Sequence, residues 1–327
     1  MFVREKVIKA ILDSGENFMS GEQLSKKLGI SRTAVWKHIN ALREEGYNIE
    51  SVNKKGYRLA EKPDDILSSE NIAYNLPTEF IGKKVIHLDT VGSTNDYAKE
   101  IGNKVSGGTL IISEQQTKGK GRLGRVWKSK SGDGIWMSLI IKPKIEPYKA
   151  PFLTLVAGAS VVKALYNLGV EASIKWPNDI IVHNKKICGI LTELSAEMER
   201  VNYVVIGIGI NIKTIDFPDE IKEKATSLYK EGYKLSRVDI VRQFCIEFEK
   251  LYKGYILDGN KQDTLELCRK YSAIIGKQVY VIKNNKRELV KCIDINENGN
   301  LIVKEKNGEI QEIMSGEVSI RGVKGYV

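Results

Sequence analysis

The segment QQTKGKGRLGR, residues 115–125, is a cationic, glycine-rich stretch between two apolar segments. Its last eight residues contain three glycines and four basic residues, and residues 118–130 contain six basic residues and no acidic one. Glycines let backbone N–H groups approach an anion closely, and the cations neutralise it. Residues 109–113 and 135–141 are apolar runs typical of buried strands. The pattern therefore predicts a loop between two strands that covers a phosphate, with an ordinary solvated run of charge as the alternative.

The glycines of this stretch also fit G-x-G-x-x-G, the dinucleotide-binding pattern. That pattern requires a helix that opens at the third glycine and an acidic residue about 20 positions later. Residues 125–129, RVWKS, do not favour a helix, so we exclude a dinucleotide site. The sequence contains no Walker A pattern either.

Composition narrows the class of protein further. A chain of 327 residues predicts two or three domains, and no apolar run reaches the ~18 residues of a membrane span. The N-terminus lacks a signal-peptide pattern, and the cysteines are far apart without a C-x-x-C, which predicts a reduced, cytoplasmic protein. The net charge of +10 favours a polyanionic partner or substrate. The cysteines are Cys188, Cys245, Cys268 and Cys292.

The first sixty residues have the pattern of a winged helix-turn-helix. Ser20 and Gln23 match a capping box, and Ser31 is placed to cap a second helix. Residues 47–52 and 57–59 are predicted to form a hairpin around a basic turn, directly after that helix. DNA is therefore the predicted partner, since residues 1–62 contain 12 basic and 8 acidic residues. The predicted DNA contacts are Arg32, Thr33 and Lys37 on the second helix and Lys54 and Lys55 in the wing.

Two alternatives remain open for this region. The N-terminal segment could be a small helical packing domain whose cations are merely solvated. Trp36, on the polar side of the second helix, could either complete the edge of the core or contact DNA.

The domain organisation follows from shifts in pattern. Pro63 and the loss of periodicity end a DNA-binding domain at residues 1–62. Residues 66–272 mix strands with helices as a central catalytic domain, and residues 275–327 alternate as in a small SH3-like β-barrel. The predicted fold class is α+β, with an N-terminal winged helix-turn-helix, a mixed α/β centre and a C-terminal barrel. Turns are predicted at 284–285, 298–299 and 307–308.

Polar residues interrupt the central domain at two places. Residues 93–95, STN, suit recognition of a small polar ring, although a helix cap is the simpler explanation. In IKWPNDIIV, residues 174–182, Lys175 enters a core strand, which is costly unless a carboxylate or phosphate partners it. Asp179 could hold magnesium or pair with Lys175. Because no Ser-His-Asp or Cys-His arrangement occurs, these features fit phosphoryl or nucleotidyl chemistry driven by charge stabilisation.

Five motifs occur in the order seen in biotin protein ligases, which the chain resembles over essentially its whole length. With the helix-turn-helix in front, it resembles the bifunctional members that also repress the biotin operon. The motifs are STN at 93–95, GKGRLGR at 119–125, KWPND at 175–179, CGIL at 188–191 and GIGIN at 207–211.

The resemblance implies a two-step reaction that uses ATP and Mg²⁺. The carboxylate of biotin, the substrate, attacks the α-phosphate of ATP and gives biotinyl-5′-AMP and pyrophosphate. A lysine of a biotin carboxyl carrier domain then attacks the mixed anhydride and releases AMP. Operator DNA and a homodimer that forms with adenylate bound are the other implied partners, and no membrane is involved.

The resemblance also implies roles for individual residues. Catalytic roles are implied for Lys175, Arg122 and Lys120. Biotin binding is implied for Ser93, Thr94, Asn95, Gln116, Lys120, Gly121, Arg122, Lys175 and Gly189. Binding of ATP or adenylate is implied for Gly119, Arg125, Asn178, Asn211 and Arg321. The family usually has arginine at position 120. Because lysine keeps the charge but cannot make the two parallel hydrogen bonds of a guanidinium, weaker retention of the adenylate is predicted.

Two other classes of protein remain open. One is a metabolite-sensing repressor without ligase activity, against which the intact catalytic-looking loops count. The other is a lipoate-type ligase, which has a related catalytic fold but does not usually combine this loop, KWPND and a winged helix.

Overall fold

The structure, a computed structural model, describes residues 3–61, 65–283, 286–315, 319–323 and 325–327. Residues 62–64, which include the predicted boundary at Pro63, and the predicted turn at 284–285 lie outside the described residues. The chain divides into two compact units, one of Met1–Leu76 with Ser236–Val238 and one of Pro77–Leu235 with Asp239–Val327. The domain boundaries taken from the sequence stay a prediction.

The first unit contains a winged helix-turn-helix. Its helices are α1 (Val3–Asp13), α2 (Gly21–Leu28), α3 (Arg32–Glu44) and the short α4 (Ser69–Ala73). Its wing is the antiparallel pair β1 (Asn48–Val52) and β2 (Gly56–Glu61). The core consists of buried apolar residues of α1, α2, α3 and β1, as the helical spacing of the sequence predicts.

Local hydrogen bonds explain where these elements begin. The predicted capping box is confirmed, because the Ser20 hydroxyl accepts from the Gln23 N–H and the Gln23 side chain accepts from the Ser20 N–H. The Ser31 hydroxyl accepts from the Ala34 N–H at 3.1 Å and caps α3. At Gly56, φ is +111° and a Cβ atom would lie 2.2 Å from the Met19 carbonyl oxygen, so only glycine fits this end of the wing.

A seven-stranded mixed sheet forms the centre of the second unit. Its strands are β3 (Val85–Val91), β4 (Thr109–Gln116), β5 (Gly134–Ile141), β6 (Ser173–Lys175), β7 (Asp179–Val182), β8 (Lys185–Ala196) and β9 (Val201–Asn211). The order is β3-β4-β5-β9-β8-β7-β6, with β3 and β4 parallel and the other pairs antiparallel. The main helices are α5 (Thr94–Ile101), α6 (Phe152–Asn167), α7 (Arg237–Leu257) and α8 (Gln262–Lys270).

The segment Pro147–Asn167, which includes α6, is apolar and long enough to cross a membrane by length and composition. However, 72% of its most apolar window is buried inside the protein. Burial against the rest of the fold is typical of a core helix, since a membrane span would present this surface to lipid.

The C-terminal strands form a five-stranded antiparallel sheet. They are β10 (Gln278–Lys283), β11 (Lys286–Ile295), β12 (Leu301–Lys304), β13 (Ile310–Ile313) and β14 (Ser319–Gly322), in the order β13-β12-β11-β10-β14. The predicted β-rich domain is thus present, but in the described part of the chain β13 and β14 do not pair to close a barrel. Both edge strands have only four residues, which limits the pairing that closure requires.

Candidate functional site

The glycine-rich stretch is a loop between β4 and β5, as predicted. It folds back on itself, because the Gly121 N–H donates to the Arg125 carbonyl at 2.8 Å and the Trp127 N–H donates to the Gly119 carbonyl at 2.9 Å. A short 3-10 turn, Arg122–Gly124, leaves the Leu123 side chain 69% exposed. The loop therefore carries cations and an exposed apolar tip on a backbone held by its own hydrogen bonds.

The predicted ring-binding residues converge around a small cavity of about 50 Å³. Thr94 and Asn95 are buried, and the Gln116 side-chain oxygen accepts from the Thr94 N–H at 2.8 Å. The Ser93 hydroxyl accepts from the Asp96 N–H at 3.4 Å, so Ser93 is a helix cap. Lys120, Gly121, Arg122 and Gly189 also line this cavity.

Two residues that the sequence analysis missed orient the buried amide of Asn95. The Ser138 hydroxyl lies 2.6 Å from Asn95 Oδ1, and Asn95 Nδ2 donates to Glu193 at 2.7 Å. Lys99 in turn donates to the other oxygen of Glu193 at 2.7 Å. A serine inside the apolar run IWMSLII and a glutamate in CGILTEL were the sequence features that could have indicated them.

Glycines in β8 and β9 make room for side chains of the site. A Cβ atom at Gly207 would lie 2.2 Å from Asn95 Oδ1. A Cβ atom at Gly189 or Gly209 would lie 2.9 Å or 2.6 Å from the indole of Trp127. In this structure Asn95 and Trp127 occupy the space that these glycines leave. Trp127 was not predicted, and its indole nitrogen is buried without a partner among the described residues.

A larger cavity of about 440 Å³ adjoins the small one, and Trp127 and Lys186 line both. Its volume lies within the ~300–1,000 Å³ typical of small-molecule sites. Most of the predicted nucleotide residues line it, namely Arg125, Asn178, Asn211 and Arg321, together with Lys175 and Asp179. Gly119 lies in the loop beside it, where a Cβ atom would meet the Trp127 carbonyl at 2.3 Å. The predicted ring-binding residues thus line the small cavity and most of the predicted nucleotide residues line the larger one, with Lys175 only in the larger cavity and Asn178 in both.

Lys175 is buried, with 2% of its surface exposed. Its ammonium donates to the Tyr326 carbonyl at 2.6 Å and lies 3.3 Å from the centroid of the Tyr326 ring. Burial lowers the pKa of Lys175 to about 7; Asp179 opposes this shift, while Arg321, Lys186 and Arg125 add to it. Because the buried ammonium is poorly compensated, a bound anion would stabilise its charged form strongly.

Asp179 pairs with Lys186 at 2.5 Å and accepts a hydrogen bond from the Tyr326 hydroxyl. The sequence left two roles open for Asp179, magnesium binding or an ion pair with Lys175, and in the structure its ion-pair partner is Lys186. Burial alone would raise the pKa of Asp179, but Lys186 and Tyr326 hold it below its ordinary value. Because Lys186 and Tyr326 already engage this carboxylate, it does not fit a resident Mg²⁺ in the described structure.

Arg122 and Lys120, the two loop cations with an implied catalytic role, have different environments. Arg122 donates to the Asn178 side chain at 2.9 Å and to the Ser315 carbonyl at 2.6 Å. Lys120 is half exposed and pairs with Asp96 at 2.7 Å. Arg122 is thus fixed at the cavity wall, whereas Lys120 lies over the outer rim.

Comparisons with known proteins identify the family of the chain. The profile of the Biotin/lipoate A/B protein ligase family matches residues 88–211, and that of the biotin protein ligase C-terminal domain matches residues 274–321. An HTH domain profile matches residues 3–58. The bifunctional ligase/repressor BirA of Bacillus subtilis (strain 168) is 42% identical over 323 residues, covering 97% of this chain and 98% of that protein.

The chain belongs to the biotin protein ligase family. The ligase is also 32% identical to the bifunctional ligase/repressor BirA of Escherichia coli (strain K12), over 96% of both chains. Its fold is similar to the solved biotin protein ligase from Aquifex aeolicus in complex with biotin and ATP. The TM-score is 0.64 at 32% identity, and the similarity covers 73% of this chain and 99% of that one.

The first unit of the ligase presents the predicted DNA contacts to solvent. Arg32, Thr33 and Lys37 are exposed on α3, and Lys54 and Lys55 are exposed at the turn of the wing. Arg43, which the sequence places on the same polar side, instead donates to the Ile49 carbonyl at 2.8 Å and to the Ser51 hydroxyl at 3.0 Å. Arg43 therefore fixes the wing to α3.

Proposed function

We propose that this ligase activates biotin with ATP as biotinyl-5′-AMP and transfers the biotinyl group to a lysine of a biotin carboxyl carrier domain. We also propose that it represses biotin genes by binding operator DNA through the first unit. The observation that carries the proposal is a polar ring pocket that adjoins a cationic cavity, with the buried Lys175 in the wall of that cavity. The winged helix supports the second activity.

The geometry suggests how the first step proceeds. The ureido ring of biotin would meet the buried amides and hydroxyls around Asn95 and Gln116, and its valeryl chain would lead the carboxylate toward Lys175. A carboxylate oxygen then attacks the α-phosphorus of ATP, and the bond to pyrophosphate breaks. Lys175 and Arg122 would stabilise the charge that develops on the transferring phosphoryl group. Arg125, Asn178, Asn211 and Arg321 would hold the nucleotide.

Ligand entry requires a rearrangement of the ring pocket. A cavity of about 50 Å³ is far below the ~300 Å³ at which small-molecule sites begin. Trp127 fills the neighbouring space over Gly189 and Gly209, so its indole would move when biotin enters. The loop of Gly119–Arg125 would then exclude water from the reactive anhydride until the acceptor lysine arrives. How Lys120 in place of arginine affects this retention stays a prediction.

The remaining partners are part of the same proposal. Mg²⁺ would arrive bound to the phosphates of ATP, since Asp179 is already engaged by Lys186 and Tyr326. A homodimer is proposed to form with adenylate bound, which would place two α3 helices on an operator. The cysteines are buried free thiols, which supports a reducing, cytoplasmic location.

Exchange of pyrophosphate into ATP tests the ligase activity. The purified ligase with Mg²⁺ should catalyse exchange that depends on biotin, and lipoate at the same concentration should support none. Exchange with lipoate would reassign the substrate. No exchange with either acid, in a folded sample, would contradict the ligase and leave a DNA-binding sensor.

Trp36 provides a test of the DNA-binding surface. Its side chain is 54% exposed on α3, between Arg32 and Lys37, so it is not part of the core edge. An exposed indole there suits apolar contact with base edges, such as the thymine methyl group. We expect Trp36→Ala to weaken operator binding about tenfold while binding to random DNA changes little, because one base contact contributes roughly 1–3 kcal/mol.

Fluorescence anisotropy with labelled operator and random duplexes at several salt concentrations would measure this. The dependence of operator affinity on salt concentration should be the same in Trp36→Ala as in the wild type. It should be weaker in Lys37→Ala, because only this change removes a phosphate contact. Equal operator affinity for Trp36→Ala and the wild type would exclude a role for the indole.

A further inference from the structure

Tyr326 contacts both charged residues of the KWPND motif. Its backbone carbonyl accepts from the Lys175 ammonium at 2.6 Å, and its ring lies 3.3 Å from the same nitrogen. Its hydroxyl donates to the carboxylate of Asp179. Lys175 and Asp179 are cross-strand partners on β6 and β7, so one tyrosine spans both ends of the turn that carries Trp176, Pro177 and Asn178.

The segment that carries Tyr326 packs tightly beside β14. A Cβ atom at Gly322 would lie 2.3 Å from the backbone of Val327, so glycine is what permits this close approach. The Gly322 N–H also points to the Tyr326 carbonyl at 3.4 Å. Tyr326 itself is 8% exposed and lines the larger cavity next to Arg321. Its ring and hydroxyl are therefore held at the wall where the nucleotide phosphates are proposed to bind.

We infer that Tyr326 is a positioning residue for adenylate formation, which holds the Lys175 ammonium and the Asp179 carboxylate in place. The inference rests on the proposed function, since it assigns a role within that reaction. In the described structure the Lys175 ammonium has no carboxylate within ion-pair distance, because Asp179 pairs with Lys186. A hydrogen bond to the Tyr326 carbonyl and a cation–π contact with its ring hold this buried ammonium at the cavity wall.

Two substitutions separate the contributions of Tyr326. Tyr326→Phe removes the hydrogen bond to Asp179 and keeps the ring, and we expect kcat for adenylate formation to fall about 3–10-fold, as for loss of one hydrogen bond. Tyr326→Leu also removes the ring and its contact with the Lys175 ammonium, and we expect a fall of about 100-fold. The KM for biotin should change by less than about twofold, since the contact affects the transition state more than substrate binding.

The pH profile of kcat/KM for biotin gives a readout that a merely structural role would not move. This profile reports groups of the free enzyme, and activity should fall as pH rises through the Lys175 pKa of about 7. The charged groups that face Lys175 are Asp179 on β7, Lys186 on β8, Arg321 on β14 and Arg125 in the loop. All of them remain in both variants. Loss of the Tyr326 ring in Tyr326→Leu should destabilise the ammonium, so that the pKa of Lys175 falls and activity is lost at a lower pH. The shift should be smaller in Tyr326→Phe, which keeps the ring.

Tyr255→Phe is the matched control. The Tyr255 hydroxyl is part-buried, donates to the Lys149 carbonyl at 3.0 Å and lies outside both cavities. We expect this variant to keep the wild-type kcat and pH limb. If Tyr326→Leu fails to fold, Tyr326→Phe against this control decides the question.

Three results would overturn the inference while leaving the ligase intact. The first is that both Tyr326 variants keep the wild-type kcat and the wild-type pH at which kcat/KM falls. The second is a higher kcat in either variant, and the third is that Tyr255→Phe loses as much kcat as the Tyr326 variants. Faster turnover would show that Tyr326 obstructs the site. A wild-type protein without biotin-dependent exchange would overturn the proposed function and this inference together.

Discussion

Replacing Lys175 with methionine is expected to slow formation of biotinyl-5′-AMP by about 10²–10³-fold, the usual effect of removing one preorganised charge-stabilising group. The ammonium is buried, and burial lowers its pKa to about 7. In such a site a bound carboxylate or phosphate interacts with the cation far more strongly than it would in water. Methionine has a similar length and no charge, so it removes this interaction with little change in packing.

The fold should survive this substitution. The Tyr326 carbonyl loses its donor, but the protein no longer has to bury an ammonium without a carboxylate partner. The lowered pKa means that the unfolded chain binds more protons than the folded one between about pH 7 and the ordinary lysine pKa of ~10.4. The buried ammonium therefore lowers the stability of the wild type most at low pH. The difference in melting temperature, Lys175→Met minus wild type, should be more positive at pH 6 than at pH 9.

Single-turnover measurement of adenylate with saturating biotin and ATP, together with thermal melts at both pH values, would check this prediction. Lys291→Met, which removes an exposed lysine from β11, controls for a loss of positive charge. A Lys175→Met protein that is folded and forms adenylate within tenfold of the wild-type rate would show that Lys175 does not stabilise the reaction.

Replacing Gly207 with alanine is expected to raise the KM for biotin by about 10–100-fold. The new methyl group would lie 2.2 Å from Asn95 Oδ1, so the buried amide must move. Its hydrogen bonds with Ser138, at 2.6 Å, and Glu193, at 2.7 Å, would then be lost. Each is worth roughly 1 kcal/mol, and a displaced amide would also disturb recognition of the ureido ring.

Biotin titration of pyrophosphate exchange, at saturating ATP, would measure this change. The KM for ATP should stay at the wild-type value, because the nucleotide residues line the other cavity. Gly158→Ala is the control: this glycine lies in α6, and a Cβ atom there meets only Ile190 at an ordinary 3.8 Å. Wild-type biotin KM in Gly207→Ala would mean that Asn95 does not bind the ring.

The sequence predicted those features that depend on neighbours along the chain. The Ser20 capping box and the cap at Ser31 follow from short-range spacing, and both are present. The strands on either side of the glycine-rich loop follow from apolar runs in the same way. The family resemblance, which the relatives confirm, added the order of the site motifs.

Features that depend on distant residues could not be read in this way. The sequence indicated that Lys175 needs an anion, but its partners come from Tyr326, 151 positions later. Likewise, the CGIL and GIGIN motifs did not indicate that Gly189 and Gly209 make room for Trp127. Closure of the C-terminal strands into a barrel also depends on pairing between edges, which alternation within single strands does not specify.

The bond from Arg122 to the Ser315 carbonyl has an evolutionary consequence. Together with Arg321 it means that the nucleotide cavity draws on two segments that profiles treat as separate domains, residues 88–211 and 274–321, while Tyr326 lies just after the second segment. The two segments must therefore change in concert. A chimera that took its C-terminal sheet from a distant relative would inherit a mismatched site even if both halves folded.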